Sequence, residues 1–239
     1  MSLFRIAGVV AVGFAVWWFA FRVEGCGSAG ALACGDKALD EGVGLSVPRA
    51  QACGAAGYYC FGRPETFQVV RWPLDKGKLK VRVTPPEFIT DPELARKIRD
   101  AAVEGIREWD RQPFPLAIDT RKHAWPNWDI GMVWFHGAGG GHARVRYEQK
   151  GKRLEFAIEG IQVIVPPAEW RLTEAQLLDM VRATAMHEMG HALGLLHSDA
   201  ERDIMFPQFK PGVTPLRPSE RDLRTVEALY ALPNGAMVQ

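Results

Sequence analysis

The sequence predicts an α+β fold: about five strands, two long helices and a further helix near its end. Two kinds of pattern carry that expectation. Apolar residues alternate with polar ones, or run together, in five short stretches: 79–83, 115–119, 130–135, 142–148 and 156–165. Apolar residues also recur at helical spacing in three longer stretches, each opened by a capping residue: 91–109, 173–191 and 219–230. The 239 residues suffice for one good-sized domain with appendages. The formal net charge of +1 and the lack of a basic tract interleaved with aromatics argue against a nucleic-acid partner.

The chain divides at residues 23 and 65. Ile6 to Phe21 is uncharged and almost wholly apolar, with Arg5 before it and Arg22 after. It is slightly short for a spanning helix and somewhat long for a signal-peptide core. Trp17, Trp18 and Phe19 suit a membrane interface. Residues 1–23 therefore read as a membrane anchor or a signal segment. Ala31-Leu32-Ala33 offers a cleavage site, and Val23-Glu24-Gly25-Cys26 loosely resembles a lipoprotein box. Residues 24–65 are rich in Gly, Ala and Cys and show no helical or strand period. All four cysteines lie there, at 26, 34, 53 and 60. An even, clustered set behind an apolar N-terminus reads as two disulfides outside the cytoplasm, with open connectivity. Cysteine-ligated zinc is the rival, but no C-x-x-C pair is present.

Residues 66–235 form the body. Leu79-Lys80-Val81-Arg82-Val83 alternates as a strand with one buried face, and Pro85-Pro86 ends it. Asp91-Pro92-Glu93 starts a helix, with an N-cap followed by proline in the first turn. Leu94, Ile98, Ala102, Ile106 and Trp109 make its core stripe. Pro115–Asp119 is a short strand. Ile130–Phe135 is more continuously apolar, which places it centrally in the sheet. Ala138-Gly139-Gly140-Gly141 is a glycine loop without the lysine of a phosphate-binding pattern. His142–Glu148 and Phe156–Val165 flank the turn Lys150-Gly151-Lys152, forming a hairpin. Thr173-x-x-Gln176 is a capping box that opens the second long helix, which carries Met180, Thr184, His187 and His191 on one side. A Pro-rich loop at 207–218 precedes Ser219-x-x-Asp222, which caps the last helix with Leu223, Val226, Leu229 and Tyr230 inward.

The chemistry centres on His187-Glu188-Met189-Gly190-His191-Ala192-Leu193-Gly194-Leu195-Leu196-His197, of the form H-E-x-x-H-x-x-G-x-x-H. Two histidines four apart on a helix share a face and can grip one Zn²⁺. Gly194 can take a positive φ and turn the chain, bringing His197 back as a third ligand. Three protein ligands leave the fourth position open, the layout of a catalytic zinc site. Glu188 lies beside the metal without ligating it and can act as the base.

The extended motif, followed by Asp203-Ile204-Met205-Phe206-Pro207, resembles the metzincin signature with its methionine turn. Ser198 directly after the third histidine, and Met-aromatic-Pro at 205–207, resemble the matrixin, or matrix metalloproteinase-like, branch. The resemblance covers roughly residues 68–233. It implies a zincin/metzincin catalytic domain with a twisted mixed sheet, and a zinc endopeptidase acting on protein or peptide substrates through a zinc-activated water with Glu188 as general base. In that reading Met205 is the structural methionine and Pro207 lies in the wall of the specificity pocket. The edge strand at His142–Glu148 offers backbone pairing to an extended substrate.

Departures from the family pattern narrow what is implied. The Asp-rich calcium loops are not evident. His136 and His142 lack the acidic partners of a second zinc site, so one catalytic Zn²⁺ is expected, and neither calcium nor a second zinc is supported. Pro48-Arg49-Ala50-Gln51-Ala52-Cys53-Gly54 has the pieces of a cysteine-switch propeptide with an insertion. The acidic pair usual in the last helix is reduced to Asp222, with Arg221 before it. The alternatives are a non-catalytic, membrane-tethered zinc-binding module and a hydrolase of non-peptide amides. A pure binder has no need of Glu188.

Overall fold

In chain order the elements are β1 (Ser46–Val47), α1 (Arg49–Gly54), β2 (Phe67–Gln68), β3 (Leu79–Arg82), α2 (Pro92–Arg107), β4 (Leu116–Asp119), β5 (Ile130–His136), β6 (Gly140–Lys150), β7 (Arg153–Val165), α3 (Glu174–Ala192), α4 (Glu220–Tyr230) and β8 (Met237–Val238). The structure is a computed structural model and describes residues 39–54, 58, 67–110, 112–121, 127–208 and 215–239. Residues 1–38, with the apolar run, Cys26 and Cys34, lie outside the described residues, as do Cys60 and the Cys53 side chain. Among the described residues no helix is long and apolar enough to cross a membrane.

The five expected strands form one mixed sheet in the order β4-β3-β5-β7-β6. The first four are parallel, and β6 alone is antiparallel, at the edge. The apolar run at Ile130 sits in the middle, as its pattern predicts. The parallel pair β3 and β4 needs a crossover, and α2 supplies it. Asp91 caps α2 by accepting from the Glu93 and Leu94 amides, and Ile98, Ala102 and Ile106 face the core.

The hairpin is longer than its alternation suggests. A bulge in the β6–β7 register pairs Tyr147 with Phe156, while Arg146 pairs with Ile158. It switches the buried set of β7 from the odd positions Ile161, Val163 and Val165 to the even positions Leu154 and Phe156. An extra residue in a strand breaks the period of two, so no single alternation runs through β7.

The second long helix is the centre of the core. From Val181 to Gly190 nearly every residue of α3 is buried. Its small residues let other elements approach from several sides. A Cβ at Gly105 of α2 would collide with the Arg182 carbonyl of α3, so the two helices meet backbone to backbone. Two buried indoles tie into the same helix. Trp109 Nε1 donates to Met186 O at 2.8 Å, and Trp72 Nε1 to Ala192 O at 2.9 Å.

The Cys/Gly-rich segment is not all loop, and described residues of it, among them Asp40, Val47 and Tyr58, are buried. β1 and β2 flank β8 in a second, three-stranded sheet. Two-residue strands are too short to show a period, which is why the sequence does not announce them. A buried ion pair fixes the join. Arg71, fully buried, donates to Asp40 Oδ1 at 2.9 Å and to the carbonyls of Trp72, Leu39 and Leu232. Such a pair is tolerable only because its hydrogen bonds are so fully made. Beside it, buried Asn234 donates to Leu154 O and accepts from Arg71 N.

The glycine contact between α2 and α3 is open to test. Gly105→Ala should destabilise the fold by about 1–3 kcal/mol despite alanine's better helix propensity, because the helices must separate. Urea unfolding measures it, and an unchanged midpoint would mean that the helices do not meet this closely.

Candidate metal and catalytic centre

The site grows out of the C-terminal end of α3. Thr173 and Gln176 close the expected capping box at its start. His187 and His191 stand one turn apart, and their Nε2 atoms approach to 3.1 Å. The helix then stops at Gly194, whose φ is +101°. The Leu195 amide bonds back to Gly190 O at 3.0 Å and the Gly194 amide to His191 O at 2.9 Å. This is the paired bonding of a left-handed glycine stop. A Cβ at Gly194 would also lie 2.8 Å from the Val70 carbonyl, so both the angle and the space require glycine. The turn delivers His197, whose Nε2 lies 3.2 Å from that of His191.

The three rings form a donor set suited to a cation. His187 Nδ1 meets Ile204 O at 2.7 Å and His191 Nδ1 meets Leu195 O at 2.8 Å. A carbonyl only accepts, so those nitrogens carry the protons and both Nε2 atoms present lone pairs. Burial pushes His187 down to about 4 and His191 to about 3, and lowers His197 as well. All three rings are thus neutral at pH 7. The Nε2 lone pairs of His187 and His191 converge on the Nε2 atom of His197, an arrangement that a metal ion satisfies. Among the described residues, this triad is the group of donors placed to hold a metal. His136, at the exposed end of β5, packs edge-on to Phe88, and His142 lies on β6. Neither joins the triad.

Glu188 lies in the same groove as the triad. It is 4% exposed, and its Oε2 has no hydrogen-bond partner. Burial raises it to about 7, against the opposing pull of the Ala143 amide. The glycine loop explains how a carboxylate fits there. A Cβ at Gly141 would lie 2.6 Å from Glu188 Oε1, so β6 passes the carboxylate only as bare backbone. The sequence shows a glycine loop but not what it accommodates.

The methionine segment passes beneath. Met205 is fully buried, and a Cβ at Gly190 would collide with its Sδ. Ser198 follows the third histidine, and its amide donates to Met205 O at 2.8 Å. Its hydroxyl donates to Asp203 Oδ2 at 2.5 Å. Buried Asp203 also accepts from Ser219 Oγ and Arg221 Nη1. Asp222, read from sequence as a helix cap and as what is left of the family's acidic pair, accepts from the amides of Ile204 and Ser219 at 2.9 and 2.7 Å. Asp203 was not singled out by sequence reasoning. Its place two residues before Met205 was the available signal.

A groove of about 1450 Å³ runs past the triad. The inner face of β6, with Val145 and Tyr147, lines it, together with Trp170, Pro207 and Leu216. These apolar side chains are well exposed: Tyr147 is 50% and Trp170 47% accessible.

Comparison with known proteins agrees with this geometry. The family model described as Matrixin matches residues 95–231, from α2 to just past α4. The chain is 44% identical over 52 residues to Matrix metalloproteinase-15 of Homo sapiens. It is 39% identical over 56 residues to Metalloendoproteinase 5-MMP of Arabidopsis thaliana. These matches cover 21% and 23% of this chain, and only 8% and 16% of the two relatives' lengths.

The turn at the end of α3 yields a prediction. Gly194→Ala should cost about 1–3 kcal/mol, because the added Cβ meets a forbidden φ and the Val70 carbonyl together. Equilibrium unfolding checks it. A loss below a few tenths would mean that the turn tolerates a side chain.

Proposed function

The chain belongs to the matrixin family, and from that premise we propose that it is a zinc-dependent endopeptidase cleaving proteins outside the cytoplasm. One observation carries the reading. The Nε2 atoms of three imidazoles converge in the groove that also holds Glu188, whose buried carboxylate keeps one oxygen free.

His187, His191 and His197 would hold the ion. Bound zinc supplies Lewis acidity, which acidifies a water and polarises the scissile carbonyl. The free oxygen of Glu188 takes the water's proton and later delivers it to the leaving nitrogen. Gly141 leaves the carboxylate room, and the Ala143 amide orients it. An extended substrate pairs along the free edge of β6. Its side chains enter the apolar groove, with Pro207 in the wall beyond the metal. Met205 and Gly194 set the geometry of the site. Glu188, with an oxygen left unpartnered, favours catalysis over a mere zinc-binding module.

In this reading residues 66–235 form the catalytic domain, and residues 24–65 carry two disulfides. Residues 1–23 anchor the chain to a membrane or direct its export. Anchoring is the expectation, because no good cleavage box follows the apolar run at the usual distance. Fractionation should leave much of the full-length protein in the membrane. A wholly soluble product beginning near Cys34 would instead identify a cleaved signal peptide.

The chemistry is tested with two variants. Purified protein should hold about one zinc, which His191→Ala should lose. Glu188→Gln should keep the zinc while peptide hydrolysis falls by about 10²–10⁴. Metal analysis and a peptide-library assay read both. Near-native cleavage by Glu188→Gln would remove Glu188 as the base, and stoichiometric zinc in His191→Ala would move the site elsewhere.

A further inference from the structure

Behind the metal centre, one residue of the Cys/Gly-rich segment reaches the core of the body. Tyr58 is 1% exposed. Its hydroxyl donates to Asp222 Oδ1 at 2.9 Å, across more than half the chain. The Arg221 guanidinium lies 5.1 Å from the centre of its ring. Burial and the Asp222 charge push the phenol far above its ordinary range, so it stays a donor at any physiological pH.

Asp222 is fully buried and divides its two oxygens between different parts of the chain. Oδ1 takes the Tyr58 hydroxyl, while Oδ2 takes the Ile204 and Ser219 amides. Ile204 in turn offers its carbonyl to His187 Nδ1 at 2.7 Å. Hydrogen bonds thus tie Tyr58 to Asp222, Asp222 to the Ile204 amide, and the carbonyl of that same residue to the first histidine of the triad. We propose that Tyr58 is a positioning residue for the metal centre, so that Tyr58 belongs to the active protease and is not to be removed from it.

The physical reason lies in Asp222. Without the phenol, Oδ1 is a buried carboxylate oxygen lacking a partner, which is costly enough to turn or protonate the group. Either response loosens its hold on the Ile204 amide. The carbonyl of the same residue then no longer fixes the tautomer and tilt of the His187 ring. Groups that orient a metal-binding histidine are typically worth 10–100-fold in metal affinity. Two ties earlier in the segment, Asp40 with Arg71 and β1 with β8, are made independently of Tyr58. Tyr58 can therefore be altered without releasing it.

The role rests on the zinc reading of the triad, and the test separates the two. Zinc dissociation constants are measured on the full chain by competition with a chelator of known affinity. Tyr58→Phe keeps the ring and removes one oxygen. It should raise the zinc dissociation constant about tenfold. Asp222→Asn should shift it the same way, and the double variant should lose no more than the larger single loss, because both act on one path. Asn234→Ala removes a buried amide elsewhere. It should lower the unfolding midpoint yet leave zinc affinity unchanged. Unaltered zinc affinity in Tyr58→Phe, or additive losses in the double variant, would overturn the role while leaving the zinc site intact. Wild-type protein that takes up no zinc would overturn both readings together.

Discussion

The architecture depends on how closely other parts of the chain can approach α3. Three glycines set that distance. Gly105 brings α2 onto the Arg182 carbonyl, Gly190 admits the Met205 sulfur, and Gly141 lets β6 pass the Glu188 carboxylate. Each contact leaves no room for even a methyl group. A helix approached this closely cannot slide or rotate, since interiors are packed as densely as organic crystals. The imidazoles of His187 and His191 thus inherit a fixed direction from the core, not from any contact with their ligand.

The remaining freedom of the site lies in the segment after Gly194, and acidic residues hold it. Asp203 and Asp222 are both fully buried. They gather the Ser198 and Ser219 hydroxyls, the Arg221 guanidinium and the Ile204 amide. Seen from the sequence, Arg221 looks like the loss of a family carboxylate. In the structure it pairs with Asp199 and Asp203, both shortly before Met205 in the chain. A buried Asp203 with a cation beside it is more tolerable than one without.

Legibility in the sequence followed the length scale of the interactions. The capped helices, the central strand at Ile130 and the hairpin turn at Gly151 could be read because local spacing and local turn chemistry specify them. The histidine triad was readable for the same reason: eleven residues carry it, and Gly194 announces the turn. The bulge that inverts the buried face of β7 was hidden, because two registers overlap within one apolar run. β1, β2 and β8 are too short to carry a period. The Tyr58–Asp222 bond and the fit of Gly141 to Glu188 join residues far apart in the chain, and no spacing rule reaches that far.

The small sheet also bears on the order in which the molecule can be made. Ser46–Val47 lies parallel to Met237–Val238, which also pairs with Phe67–Gln68. The middle strand of the three is the last to be synthesised. Until it arrives, the two outer ones have nothing between them, and the buried Asn234 beside Arg71 is missing too. Closing so long a loop adds little entropy beyond that of a shorter one, but contacts so distant in sequence form slowly. The small sheet therefore cannot close until residue 238 has emerged, however early the rest of the fold has formed.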